Sequence, residues 1–520
     1  MPLVELDANI ALPRTPQRRS GADDLVKDLT DQIVSISILE EDQSFASGVA
    51  RPARRAKRAP ILASPTPASL SLTPSPLKSK RTPRPRSRPS LSAPIEVLAE
   101  AECLRTLTWE DVCPLGDRIE KIAEASYAEV YRVTNDRGMS IIKVIRLESP
   151  IKPQTKAQQR SGLVDEEPHT EDDLDGELKI SELVADIPGF VVYKEKYIVE
   201  GKTTPALLET HQTYQRRMKR KDPDRLQFYP SPSRYLEDTQ FLVVELGDAG
   251  TALEDFDIES TAQVWDMLLG VAVALARAEN LIRFEHRDLH EGNVCFRQVR
   301  RPKPKTDDSP CEFGYSGLDV TILDYGLSRA DDITLPSGAP IASDLERDLS
   351  LFTSTHAAQC HVYRQMRSYL INGDRIWLDP KAHNKPYQRS RHVGRPISWL
   401  RHHSYTNVLW LAYLYEYLVS HFRGSKRELA RFTRETREFW THLNPESPLE
   451  IMSFASAEDI VEFAAEAGWI TEEQLAGTAD GEGSSYVEEE CSIIGLMAGR
   501  RDVDGHHRRS PRVKGKSPVG

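Results

Sequence analysis

Three short segments in a fixed order constrain this chain more than any other feature. A lysine sits inside an apolar, strand-like run, SIIKVIRL (Ser140–Leu147). The loop FEHRDLHEGNVCF (Phe284–Phe296) and the run TILDYGLSRA (Thr321–Ala330) follow it. Moving the γ-phosphoryl group of ATP needs little covalent help. It needs a cation on the phosphates, acids and amides that hold metal ions, and a carboxylate that orients the attacking hydroxyl. Lys143 is the candidate phosphate contact, Asp288 the candidate base, Asn293 the candidate ligand of one magnesium, and Asp324 the candidate ligand of the magnesium that bridges the β- and γ-phosphates. His286 is expected to hold the loop rather than to move protons, and His290 is equally a structural or a substrate-facing residue. Any one segment can arise by chance; all three in this order make coincidence a poor explanation. ATP and magnesium are therefore the expected cofactors.

The sequence between and around these segments sets the fold class. RIEKIAEASYAEVYRVTNDRGMSIIKVIRL alternates apolar and polar residues and turns at Asn135–Gly138, as successive antiparallel strands do. NVLWLAYLYEYLVSHF and SAEDIVEFAAEAG carry helical periodicity. Strand-rich first and helix-rich afterwards predicts an α+β chain with the bilobal eukaryotic protein-kinase fold, a β-rich N-lobe followed by a helical C-lobe. We expect a basic Pro/Ser-rich disordered tail over 1–99, the N-lobe and hinge over 100–247, the C-lobe over 248–476 and a disordered tail over 477–520. A hydrophobic fraction of 39% and 34 prolines in 520 residues support such tails.

The net charge of −11 hides basic ends around a more acidic middle. RPARRAKR (Arg51–Arg58) reads as a nuclear-import cluster, or else as a solvated charge run that keeps the tail soluble. Leu25–Leu39 alternates enough to become ordered on a partner. The six cysteines are scattered without a C-x-x-C pair, which fits a reducing compartment. The longest apolar run, around Val264–Ala276, is too short and interrupted to span a bilayer. The expected location is the nucleus, on chromatin, with a cytoplasmic pool compatible with it. No membrane and no direct nucleic-acid contact is required.

FEHRDLHEGNV, ILDYGLSR and WLRHHSYTNVLWLAYL together resemble the haspin family, divergent protein kinases that phosphorylate a histone tail. The resemblance covers about 105–475 and includes Tyr325 in place of the usual Phe and the lack of an A-P-E motif. It implies serine/threonine kinase activity that does not depend on activation-loop phosphorylation, and a monomer acting on a basic, histone-like tail. It also implies a helix at ELKISELVADIPGFV, in which Glu177 pairs with Lys143 and Glu182 is the alternative. In the phosphate-covering loop AEASYAEV, Ala123, Ala125 and Ala128 stand at the three glycine positions; Tyr127 and Val130 complete the nucleotide lid. VVELGDAGTALEDF is the resembling hinge, with Glu245 and Gly247 expected at the nucleotide, Ala252 where the family has a ribose-contacting Asp, and Glu254 at an acidic substrate-side position. After SLFT, the chain reads STHAAQCHVYR, with Thr355 and Ala357 where the family carries acids that grip the histone tail. DEE (165–167) and EDDLD (171–175) remain as acids that attract a basic substrate nonspecifically. A kinase-fold scaffold without turnover and a small-molecule kinase, which shares the D-L-H-x-G-N loop, are the alternative readings.

Overall fold

The computed structural model describes residues 104–475, apart from 126–127, 161–162, 164, 166, 224, 226, 228, 307–308 and 336, together with 491–494; the side chains of 171–173 are not described. The expectations for 1–99 and most of 477–520 lie outside the described residues, as does Tyr127.

The alternating N-terminal sequence builds a six-stranded sheet: β1 (Thr106–Leu107), β2 (Arg118–Glu124), β3 (Glu129–Asn135), β4 (Gly138–Arg146), β5 (Tyr193–Glu200) and β6 (Gln240–Leu246), in the order β1-β5-β6-β4-β3-β2. Only the β1–β5 pair is parallel. The β3–β4 hairpin turns where Asn135 Oδ1 accepts the Arg137 N–H at 3.0 Å and Gly138 takes a φ of 137°, a region that a side chain would strain.

Register assigns the faces. Lys143 lies opposite Val130 and Val244, and Ile142 opposite Glu245. Side chains alternate along a strand, so Lys143 and Glu245 emerge on opposite faces. On the Lys143 face, Ala128, Ile145 and Leu242 pack with Leu174 of helix α1 (Glu171–Val184). On the other, Tyr131, Ile142, Val144 and Val243 pack with Trp109, with Leu207 of helix α2 (Pro205–Lys221), and with Ile493 and Ile494. Cys491–Ile494 fall in the segment assigned by sequence to the C-terminal tail, yet these two isoleucines are buried against the N-lobe sheet.

The C-lobe core is organised by α3 (Thr261–Ile282), which carries the apolar run Val264–Ala276. A capping box between Ser260 and Gln263 starts it, and Arg283 in the left-handed conformation (φ 51°) ends it. Helices α4 (Gln359–Asn372), α5 (Tyr405–Ser420) and α6 (Ala457–Glu466) share its core. Strands β7 (Thr251–Ala252), β8 (Val294–Gln298) and β9 (Leu318–Ile322) form the small sheet that presents the loops on either side of it. Among the described residues no helix is long and apolar enough to cross a membrane.

Candidate active site

Lys143 Nζ donates to Glu177 Oε1 at 2.6 Å, across the contact between β4 and α1. Glu182, the alternative partner, binds Lys196 at 2.6 Å on the outside of the same helix. Burial holds the Lys143 ammonium below its ordinary value, an effect that the carboxylate of Asp324 partly offsets. Burial lifts Glu177 well above the usual carboxylate range, and Asp324 adds to it. Asp324 itself stays below that range: burial opposes its charge, but Lys143 and the Gly326 N–H outweigh burial. One buried ammonium thus faces two buried carboxylates.

The loop that carries Asp288 is tied to Asp324 through His286. The His286 Nε2–H donates to Leu323 O at 2.8 Å, while Nδ1 accepts the Asp288 N–H at 3.2 Å. Burial depresses the imidazole to about 4, which keeps it in this neutral tautomer. His286 N–H is anchored in turn on Asn407 Oδ1 of α5 at 3.0 Å. Asn293 spends its Nδ2 on Asp288 O at 2.9 Å, which reserves the amide oxygen for another group. Arg287 and Asp324 adopt positive φ values of 67° and 61°. Such backbone is costly without Gly and persists where surrounding contacts impose it. Arg287 is fully buried; it binds Glu285 Oε2 at 3.0 Å and Trp399 O at 2.7 Å and stacks on the Trp399 ring.

The Asp288 carboxylate is about four-fifths buried (19% exposed). Burial pushes it up to about 6, against the opposing effects of His290 and of the Tyr363 hydroxyl that donates to Oδ1. His290 serves the loop with one nitrogen, whose Nδ1 accepts the Gly292 N–H at 3.0 Å. Its Nε2 lies 4.0 Å from Asp288 Oδ1. Tyr363 was not visible as a site residue from sequence. The only signal is that it shares the buried stripe of α4 with Cys360, Met366 and Arg367.

Three side chains take places that the sequence did not specify. The Glu245 side chain points away from the Lys143 face: its fully buried carboxylate accepts from Ser140 Oγ, Ser492 Oγ and the Ile493 N–H on the opposite face, so any contact of this residue with the nucleotide is through its main chain. Asp165 is engaged with Arg234 through two bonds of 2.6 and 2.8 Å, so it is not a loose attractor of basic substrate. Lys121, one of the polar residues of the alternating RIEKIAE, is almost wholly buried (2% exposed). It sits beneath the turn that joins β2 to β3, against Glu129 and Glu124, with Tyr131, Tyr214 and Tyr229 ringed around it at 5.1–5.9 Å. Burial opposes its charge, but the two glutamates raise it above the ordinary lysine value. Glu129 is held at about 2 despite its burial, with Lys121 and His211 on it.

The other expected nucleotide residues fall as follows. Ala123 pairs with Val130 across the hairpin. Ala125 N–H donates to Ala128 O at 2.8 Å, and Tyr229, in the segment that follows α2, donates to Ala125 O at 2.6 Å. Gly247 follows β6 and gives its N–H to Val192 O at 2.9 Å. Tyr325 is buried, donates to Ile322 O and packs among Phe190, Phe284 and His286. The segment beyond it is held by Arg367, whose guanidinium binds Glu346 through two 2.8 Å bonds with both side chains fully buried.

A family model described as a haspin-like kinase domain matches residues 95–462. The chain belongs to the haspin-like kinase family. Haspin of Mus musculus is 28% identical over 371 residues, covering 69% of this chain and 42% of the mouse protein. Haspin of Bos taurus is 26% identical, over 66% of this chain and 39% of its own length. The haspin homolog hrk1 of Schizosaccharomyces pombe is 26% identical, over 69% and 68% respectively. The chain thus spans about two-fifths of the length of the mammalian haspins it matches. The α+β expectation of a sheet-rich first part and a helical second part stands within this family.

Proposed function

We propose that this chain is an ATP- and magnesium-dependent protein serine/threonine kinase. The observation that carries the reading is that two separate ties meet at Asp324. One is the Lys143–Glu177 pair, whose charges it influences; the other is the His286 bridge, which fastens the Asp288 loop to the residue before it. Among the described residues no cluster of three or more metal-binding side chains occurs. Magnesium held by one or two protein ligands plus substrate phosphates needs no such cluster, and Asn293 and Asp324 are chemically suited to be those ligands. When bound, the metal neutralises charge on the transferring phosphoryl group.

The roles of the chain's own residues follow from their surroundings. Lys143, held by Glu177, contacts the phosphates. Asp288, ionised above about pH 6, accepts the hydrogen bond of the substrate hydroxyl and takes its proton as the new O–P bond forms, while the bond from the γ-phosphorus to the bridging oxygen breaks and ADP leaves. Arg287 and Arg367 take carboxylate partners, Glu285 and Glu346, from within the chain, which supports activity without activation-loop phosphorylation. The acceptor is proposed to be a Ser/Thr on a basic tail of the histone-three kind, drawn by Glu254 and Glu291. These acids lie beside the Asp288 loop, where Glu254 N–H donates to Glu291 O at 3.3 Å. Thr355 is exposed and neither it nor Ala357 can pair with a cation, so selectivity for that tail is low and salt-sensitive. A monomer acting in the nucleus, with import through Arg51–Arg58, completes the proposal. Cytoplasmic retention after replacing Arg54, Arg55, Lys57 and Arg58 by Ala tests the import step; unchanged nuclear signal refutes it.

The catalytic proposal is tested by Asp288→Asn and Asp324→Asn. The first abolishes peptide phosphorylation with ATP binding nearly intact, and the second removes the magnesium dependence of ATP binding. Substantial turnover in Asp288→Asn overturns the assignment of the base. Phosphorylation of small alcohols in preference to peptides points to the small-molecule class.

A further inference from the structure

The outer face of the N-lobe sheet holds a buried acid that takes two of its three donors from a segment near the C-terminus. Glu245 is fully buried on β6, two residues before Gly247. Oε1 accepts from Ser140 Oγ at 2.7 Å and from the Ile493 N–H at 2.9 Å, and Oε2 accepts from Ser492 Oγ at 2.7 Å. Two of these three donors come from a segment about 250 positions away in sequence. Beside them, Ile493 and Ile494 are 4% and 2% exposed within the core that contains Tyr131, Ile142 and Val243.

A carboxylate kept from water is strongly unfavourable unless its lone pairs are used. Without 491–494 the carboxylate of Glu245 would lose two of its three donors and keep Ser140 Oγ, which itself accepts from Lys194 Nζ at 3.0 Å, next to the apolar patch that the two isoleucines cover. The match has two independent parts. A hydroxyl and the following backbone N–H read the carboxylate, and two consecutive isoleucines fill the apolar surface. The intervening positions 476–490 are fifteen residues, which at about 3.5 Å each reach up to about 50 Å.

We infer that Ser492-Ile493-Ile494 is a docking motif acting in cis, and that the β6 face around Glu245 is a peptide-recognition site for a Ser-Ile-Ile segment. Occupancy of this site braces the strand that leads into the hinge. Because recognition depends on a short linear segment, the same site accepts that segment in trans when the chain's own copy is disabled. A phosphoryl group or an acid at position 492 replaces the donor with a like charge and opens the dock.

The test uses the full chain. In hydrogen exchange of the unmodified protein, the Ile493 amide is protected together with the amides of β6; exchange of Ile493 at the rate of an unstructured peptide overturns the inference without any variant. The double variant Ile493→Asp/Ile494→Asp is expected to melt at lower temperature and to lose protection in β6. A labelled peptide spanning 486–498 is expected to bind it, and to bind at least tenfold more weakly when Glu245→Gln is added or when the peptide carries Ser492→Asp. Equal binding of the altered peptide, or a melting temperature and β6 protection unchanged in the double variant, refutes it. Should the double variant fail to fold, Ser492→Asp in the full chain gives the same reading through release of the Ile493 amide. None of these measurements reads phosphoryl transfer, so they stand or fall apart from the proposed activity.

Discussion

Tyr363→Phe tests how the candidate base is tuned. The substitution keeps the ring, which packs edge-on against Trp410 at 5.5 Å, and removes the hydroxyl that donates to Asp288 Oδ1. That bond favours the ionised carboxylate, so its loss raises the pKa of Asp288 above the present value of about 6. A hydrogen bond to a charged group is worth about 1.5–3 kcal/mol, and one pKa unit about 1.4 kcal/mol. Water can replace part of the lost bond, because 19% of the Asp288 side chain is exposed. The lower end, about one unit, is therefore expected. The sign follows directly: the base is active when deprotonated, so the variant loses activity at low pH and keeps it at high pH. The acid limb of kcat/KM, which reports the free enzyme, moves from about 6 to about 7. At pH 6 the ionised fraction falls roughly fivefold, and above pH 8.5 the two enzymes converge. Peptide phosphorylation followed from pH 5.5 to 9 in parent and variant checks this, with the ionisation of ATP common to both. An acid limb that stays in place, whatever the rate, refutes the role given to Tyr363.

Three further outcomes follow from the geometry. Lys121→Met strands Glu129 in a buried site and is expected to cost about 3–5 kcal/mol of stability in urea unfolding and to raise the KM for ATP; a loss under about 1 kcal/mol would mean that water reaches the cluster. Glu177→Gln is expected to lower kcat/KM more than tenfold, whereas Glu182→Gln, whose partner Lys196 is on the surface, changes it less than twofold; comparable losses would reassign the pair. Thr355→Asp with Ala357→Asp should raise kcat/KM for a histone-three tail peptide tenfold or more, about 1.4 kcal/mol per decade. Efficient phosphorylation by the parent at physiological salt would place the cation-binding acids elsewhere, with Glu254 and Glu291 the first to examine.

The sequence by itself determined the elements and the order of the chemistry-bearing segments. Alternation specified the β2–β3–β4 meander, because a strand with one face on a core must repeat every two residues. Helical period specified α5 and α6, and the turn at Asn135–Gly138 was written in residues that tolerate unusual backbone. Motif spacing alone picked out Lys143, Asp288, Asn293 and Asp324, since each belongs to a local segment whose residue types the chemistry restricts. What those local patterns do not encode is the meeting of distant segments. Whether Glu177 or Glu182 faces Lys143 depended on the rotation of α1 against the sheet, which packing of Leu174 against Ala128, Ile145 and Leu242 accompanies. Motif position placed Glu245 in the hinge but did not say where its side chain goes. Pairing register put it on the face opposite Lys143, where a segment near the C-terminus supplies its donors. Lys121 gave no sign of burial: its compensating charges lie three and eight residues along the chain, but the aromatic residues that enclose it include two about 90 and 110 positions away. Tyr363 reached Asp288 only through the docking of α4. Buried charges and donors need partners that satisfy them, and in these cases the partners are chosen by tertiary proximity, which no local periodicity contains.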